Sequence, residues 1–291
     1  MGQELAAQYP EARAVFAEAD EALGSALSRL AWEGPAEELT LTHNAQPAIL
    51  VHSIAAYRVV AERLGAVDCA AGHSLGEFSA HVAAGTMSLA DAVRTVRRRG
   101  ELMFRTGRER PGTMAALLGL DDAEVEKVCR DASAFGGECV AANYNAPAQV
   151  VISGDVPTVE KAMELARAAG AKRAIPLNVS GAFHSPLMSE ATPGLSAQLD
   201  TVVLSRPRFP IISNVTAQPV TDPVSIRRLL IEQLTKPVRW SASLQSMLQA
   251  GVREFIELGP GEVLGGLLKR IDRSASHRAI GGPAEVEALG T

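Results

Sequence analysis

Cysteine is scarce in this sequence and badly spaced for bonding. Cys69, Cys129 and Cys139 are the only three in 291 residues. They form no CxxC pair and have no histidine at metal spacing, so neither a disulfide framework nor a zinc site is expected. A charge excess is missing too: 28 basic residues against 33 acidic ones leave a net charge of -5, which excludes nucleic-acid binding through a generally basic surface. No run reaches the roughly eighteen apolar residues of a membrane span. The first residues carry Glu4 and Glu11 where a secretory signal needs a basic patch and an apolar stretch. Repeats and low-complexity segments are absent. These absences predict a cytoplasmic globular chain, monomeric, without metal or cofactor. Its 47% hydrophobic content supplies core material for one large domain or two modest ones.

What is present has a clear order. Apolar spacing of three and four predicts helices over Glu11 to Leu30 and Pro47 to Leu64, the second apolar nearly all round and therefore buried. The short apolar run "VDCAAGH" reads as a strand leading straight into "SLGEF" and a helical stretch. Gly72-x-Ser74-x-Gly76 thus lies on a sharp strand-to-helix turn, the two glycines relieving its crowding. Ser88 caps a further helix to about Phe104. Between Thr113 and Asn178 the pattern changes to βαββαβ, a ferredoxin-like unit complete in itself, with turn formers at both edges. Strands separated by helices then resume through "FPIIS" and "REFIEL". The expectation is an α/β fold, an α/β-hydrolase-like parallel-sheet core in two parts, 1–108 and 180–291, with a ferredoxin-like subdomain inserted at 109–179.

Ser74 has backbone N–H groups and the positive end of a helix dipole beside it, but a serine hydroxyl needs a base within hydrogen-bond reach. Among six histidines, His52 and His81 fall within helices and read as satisfied core residues, and His73 adjoins the serine and leaves the turn in another direction. His184, in "SGAFHSPL" where the inserted unit ends, is the candidate base, or else an ordinary loop residue. Arg99 stands out by geometry. At about 100° per residue it falls within the stripe formed by Leu89, Ala92, Val93, Val96 and Met103, whereas Arg97 and Arg98 point outward. An inward guanidinium requires a polar or anionic partner. That partner is either a structural acid or a substrate carboxylate held bidentately, and the second makes the substrate an acyl group ending in a carboxylate.

"GHSLGE" with "RRRG" downstream, "NYNAPAQVVISG", "SGAFHSPLM", "QLTKPVRW" and "ELGPGEVLGGLLKRI", in that order and across nearly the whole chain, resemble the malonyl-CoA:acyl carrier protein transacylases of fatty acid and polyketide synthesis. The resemblance implies that Ser74 is the acylated nucleophile, His184 its base and acid, and Arg99 the clamp on the malonyl carboxylate. It further implies that the Gln233 backbone carbonyl orients the histidine in place of an acid, and that the Leu75 N–H holds the oxyanion. Phe183 corresponds to the residue that narrows the space beside the acyl α-carbon in malonyl-selective members. The implied partners are malonyl-CoA and the phosphopantetheine arm of an acyl carrier protein.

One departure accompanies the resemblance. Family members begin with a strand and a glutamine loop of the type GQGSQ, whose backbone supplies a second oxyanion donor. This sequence starts at "MGQELAAQYP", just past that loop. The first strand is therefore expected either to lie upstream of Met1 or to be lost, with a gap in the parallel sheet. Two other functions compete: a serine acylhydrolase, which has no use for an inward arginine, and an inactive carrier-protein binding module.

Overall fold

The computed structural model describes residues 1–290. Five helices come first: α1 (Gln3–Gln8), α2 (Pro10–Leu23), α3 (Leu27–Glu33), α4 (Ala36–Leu39) and α5 (Thr42–Val60). The single helix expected over 11–30 is two, because Gly24 adopts a left-handed conformation (φ 61°) and ends α2. Then come α6 (Leu75–Ala83) and α7 (Leu89–Glu109). Ser88 caps α7 by accepting the Asp91 N–H at 3.0 Å, and the helix runs one turn beyond the expected Phe104. Helices α2, α5, α6 and α7 pack around one large core that includes Phe16, Leu50, Ile54, Phe78 and Val96.

Residues 112–176 build a second layer in the order β1 (Gly112–Leu118), α8 (Asp122–Ser133), β2 (Cys139–Ala146), β3 (Gln149–Asp155), α9 (Val156–Ala168) and β4 (Arg173–Pro176). All pairings are antiparallel and the strand order is β2-β3-β1-β4, the ferredoxin-like arrangement. Alternate strand residues and the apolar faces of α8 and α9 enclose a separate core around Leu117, Val125, Ile152 and Ala162. The β2–β3 turn is tighter than "YNAPA" suggested: β2 continues through Ala146, so Tyr144 and Asn145 belong to the strand. That extension places Asn145 against His73, next to the Ser74 turn.

The chain returns through a 3₁₀ turn at Pro186–Ala191, α10 (Thr192–Asp200), β5 (Ile211–Ile212), β6 (Pro219–Val220), α11 (Pro223–Glu232), α12 (Trp240–Gln249), β7 (Glu254–Leu258), α13 (Val263–Ile271), β8 (Ser276–Ile280) and α14 (Pro283–Ala288). Here the parallel core sheet is fragmentary. The "VDCAAGH" segment forms only one parallel bridge, Ala70 to Ile211, rather than the expected strand. β7 pairs in parallel with β8 alone. Between these pieces lies a cavity of about 470 Å³, lined by Asp68 to Gly72, by Arg253 to Leu258, and by side chains such as Ile54, Trp240 and Leu244.

Candidate active site

The turn at Ser74 is built from close backbone approach. A Cβ on Gly72 would lie 1.9 Å from the Gly76 carbonyl carbon, so only glycine permits the chain to fold onto itself there. The crowding resides at Gly72 alone, since a Cβ on Gly76 meets nothing within 4 Å, and the expectation that both glycines relieve it is corrected accordingly. Ser74 sits at φ 51°, ψ -105°, an uncommon conformation for a residue with a Cβ, immediately before α6. It is held there by Asn214, which follows β5. The Asn214 Oδ1 accepts the Ser74 N–H at 2.7 Å, and its Nδ2 donates to the Gly72 carbonyl at 2.8 Å. The next N–H, that of Leu75, has no acceptor among the described residues and heads the first turn of α6.

His184 reaches the serine from 110 residues away. It too has a positive φ, 57°, and is buried. The Ser74 hydroxyl lies 2.8 Å from His184 Nε2, and His184 Nδ1 lies 2.8 Å from the Gln233 backbone oxygen. A carbonyl can only accept, so Nδ1 carries the proton and Nε2 offers its lone pair to the hydroxyl. Burial, reinforced by the nearby Arg99 charge, lowers the imidazole pKa to about 3, although the bond to Gln233 acts in the opposite direction. The ring is neutral at pH 7 and competent to accept a proton. His73, as expected, turns elsewhere: its Nε2 lies 2.8 Å from Asn145 Oδ1 and its ring tilts against Trp240. His52 and His81 are buried within α5 and α6, His52 bonded to the Gly281 carbonyl and His81 close to the Thr86 hydroxyl.

Arg99 is 1% exposed, on the buried face of α7. Its Nη1 donates to Gln46 Oε1 at 2.5 Å, and its Nη2 to Gln233 Oε1 at 2.9 Å and to Ser74 Oγ at 3.1 Å. The Phe78 ring lies 5.6 Å from the guanidinium carbon. All three hydrogen-bond partners are neutral. The structural acid considered from sequence is not an ion-pair partner: Arg99 forms no salt bridge among the described residues. Burial lowers its pKa to about 10, so it remains a cation at pH 7. Its direct hydrogen bonds are all to neutral groups, while the buried Glu77 acts on it through space and opposes the effect of burial, so a guanidinium so placed beside the Ser74 hydroxyl can take an anion. Arg97 departs from the outward reading, being half-buried and bonded to Asn44 Oδ1.

Gln233 follows α11 and is fully buried. Its segment is anchored to the second layer, where Val238 exchanges backbone bonds with Ala142 and Tyr144 of β2. Besides the carbonyl that faces His184, its side chain spans the site, donating to Ser74 O at 3.1 Å and to Glu77 Oε2 at 2.6 Å. Phe183 is half-buried beside His184 and packs where the two layers meet, among Met114, Val151 and Val179. Sequence reasoning missed Asn214, Gln46, Asn145 and Glu77. Only Glu77 carried a local signal, an acid on the apolar helix directly after the serine.

Residues 1–281 match the acyl transferase domain family, and the chain belongs to it. Its mixed α/β architecture and its family make it an acyltransferase. Among curated relatives, the chain is 48% identical over 287 residues to the malonyl CoA-acyl carrier protein transacylase of Bacillus subtilis, covering 99% of this chain and 90% of that protein. It is 44% identical to the Escherichia coli K12 protein of the same name, over 98% of this chain and 92% of that protein. Among solved structures it superimposes on the acyl-carrier-protein-S-malonyltransferase of Bartonella henselae with a TM-score of 0.95 at 44% identity, covering 100% of this chain and 95% of that one. It also matches, with a TM-score of 0.95 at 39% identity over 99% and 94% of the two chains, a malonyl-transacylase solved in complex with a type II polyketide acyl carrier protein.

Proposed function

We propose that this chain transfers a malonyl group from malonyl-CoA to the phosphopantetheine thiol of an acyl carrier protein through a malonyl ester on Ser74. The observation that carries the reading is the buried Arg99 guanidinium, 3.1 Å from the Ser74 hydroxyl and bonded only to neutral groups. A plain hydrolase has no need of it, and a binding module has no need of the aligned serine and neutral histidine.

In this mechanism Ser74 passes its proton to His184 Nε2 as Oγ attacks the thioester carbonyl, and the Leu75 N–H faces the developing oxyanion. His184 then delivers the proton to the departing CoA sulfur. The carrier thiol repeats the sequence in reverse, with the acyl group leaving as its thioester. The Gln233 carbonyl serves in place of the usual acid. Arg99 binds the malonyl carboxylate, and the arriving negative charge also offsets the field that disfavours protonated His184. The proposed location is the cytoplasm; no helix among the described residues is long and apolar enough to cross a membrane.

The direct test is intact mass after mixing with malonyl-CoA, where the proposal requires an increment of one malonyl group that a holo carrier protein removes. A hydrolase would release free malonate at a rate independent of the carrier. Phe183 is assigned the selectivity role, narrowing the space beside the acyl α-carbon. Phe183→Ser is expected to raise methylmalonyl over malonyl transfer by the worth of one methyl-sized contact, about 1–3 kcal/mol. An unmoved ratio of the two specificity constants would leave Phe183 as packing between the layers.

A further inference from the structure

Glu77 is 1% exposed, three residues after the nucleophile in the first turn of α6. Its Oε2 accepts the Gln233 Nε2–H at 2.6 Å and the Asn214 N–H at 3.2 Å, and the Ser213 hydroxyl is a further neighbour. Through these two contacts the one carboxylate touches both devices that organise the site. Asn214 grips the Ser74 N–H. Gln233 faces His184 with its carbonyl and Arg99 with its side chain. The orientation of the Gln233 amide follows from Glu77. With one amide hydrogen on Glu77 and another on the Ser74 carbonyl, Oε1 is left to face the guanidinium. The flipped amide would set donor against donor.

Arg99 from α7 is the charged group acting on Glu77; the histidines of this region are His184 ahead of the 3₁₀ turn, His73 just before α6 and His81 on it. All three histidines have lowered pKa values through burial. The buried site of the free enzyme therefore holds one cation, Arg99, and one group able to balance it, Glu77. A malonyl carboxylate adds a second negative charge to a pocket with a single positive one.

We propose that Glu77 is a positioning residue that orients Gln233 and balances Arg99 in the free enzyme, and that it becomes protonated when the malonyl carboxylate takes its place as the counter-charge. The proposal rests on the malonyl-transfer reading. Burial pushes the Glu77 pKa up to about 7, against the opposing effects of Gln233, Asn214 and Arg99. A substrate carboxylate nearby raises it further, so that loading at and above neutral pH takes up a proton from solvent. The acyl-transfer step itself is proton-neutral below the pKa of the CoA thiol, since the serine proton leaves with the CoA sulfur.

The sign of the effect is defined. Malonyl loading is favoured by protonated Glu77, so its specificity constant should fall as pH rises above about 7, approaching tenfold per unit. Acetyl loading brings no charge and lacks this decline. CoA's own phosphate titrates equally in both substrates and cancels in the malonyl-to-acetyl ratio, and His184 is neutral across the range. The experiment measures that ratio from pH 6 to 9 for wild type and Glu77→Gln. The amide can still accept from Gln233 and Asn214 but cannot titrate. A falling ratio in wild type and a flat one in the variant is the expected result. Equal slopes in both, or a flat ratio in wild type, would overturn the proposal.

Proton uptake by the wild-type enzyme, followed with an indicator dye in weak buffer at pH 7.5, makes the test independent of how the variant folds. Roughly half a proton or more per malonyl ester is expected beyond the acetyl control, and none would overturn the proposal. Absence of a malonyl ester on wild type would instead remove the reaction reading and the proposal with it.

Discussion

Ser74→Ala is expected to abolish the mass increment from malonyl-CoA completely, and with it transfer to the carrier protein. The substitution removes one oxygen from a turn whose shape does not depend on it. The backbone bond to Asn214 Oδ1 and the close approach of Gly72 to Gly76 remain. The variant should therefore fold and melt as wild type does, which separates chemistry from stability. Among the described residues no other hydroxyl is placed to substitute: Ser185 is bonded to the Ala182 carbonyl, and Ser74 is the hydroxyl 2.8 Å from His184 Nε2. Removing a nucleophile in a covalent mechanism deletes the step rather than slowing it. An increment of unchanged size on the variant would remove the mechanism, because the acyl group would then sit elsewhere.

Arg99→Ala should reduce malonyl transfer about a hundredfold while affecting acetyl transfer far less. A charge-assisted bond to the substrate carboxylate contributes a few kcal/mol, roughly a hundredfold in rate, and acetyl has no carboxylate to lose. The acetyl control is necessary because the truncation also leaves Gln46 Oε1 and Gln233 Oε1 without their donor. That structural loss is shared by both substrates. Arg99→Lys should rescue poorly, since one ammonium cannot span the two amide oxygens and a carboxylate as the planar fork does. A second readout follows from the field of the guanidinium. Arg99 depresses the His184 pKa, so its removal shifts the acid limb of the acetyl pH profile upward. Equal losses for malonyl and acetyl, with an unmoved acid limb, would reduce Arg99 to a structural residue.

These predictions draw unequally on sequence and structure. The inward direction of Arg99 was legible because helical periodicity is a local property: the apolar stripe of α7 places it at the core whatever surrounds the helix. The tight turn into α6 at Ser74 is legible because glycine spacing reports local crowding, although the structure assigns that crowding to Gly72 alone and gives the preceding segment one bridge instead of a strand. The βαββαβ order could be read because alternation and helical spacing are distinct over each short segment. The helix break at Gly24 and the full length of β2 are not legible in the sequence. Gly24 acts through its left-handed backbone, and Tyr144 extends β2 through bonds to β3 and to Val238, neither of which leaves a periodic trace.

The sequence by itself determined which side chains are available to the proposed chemistry and on which elements they ride: a serine at a turn, a histidine after the βαββαβ segment, an arginine in an apolar stripe. Tertiary structure alone decided how they act. The bonds from Gln233 to Glu77, Ser74 and Arg99, and from Asn214 to Ser74, each span between 134 and 159 positions, and no local pattern encodes such convergence. Burial then sets the charge states, keeping His184 neutral and bringing Glu77 to the edge of protonation at pH 7. Desolvation is a property of the assembled interior and belongs to no residue until the distant segments close around it.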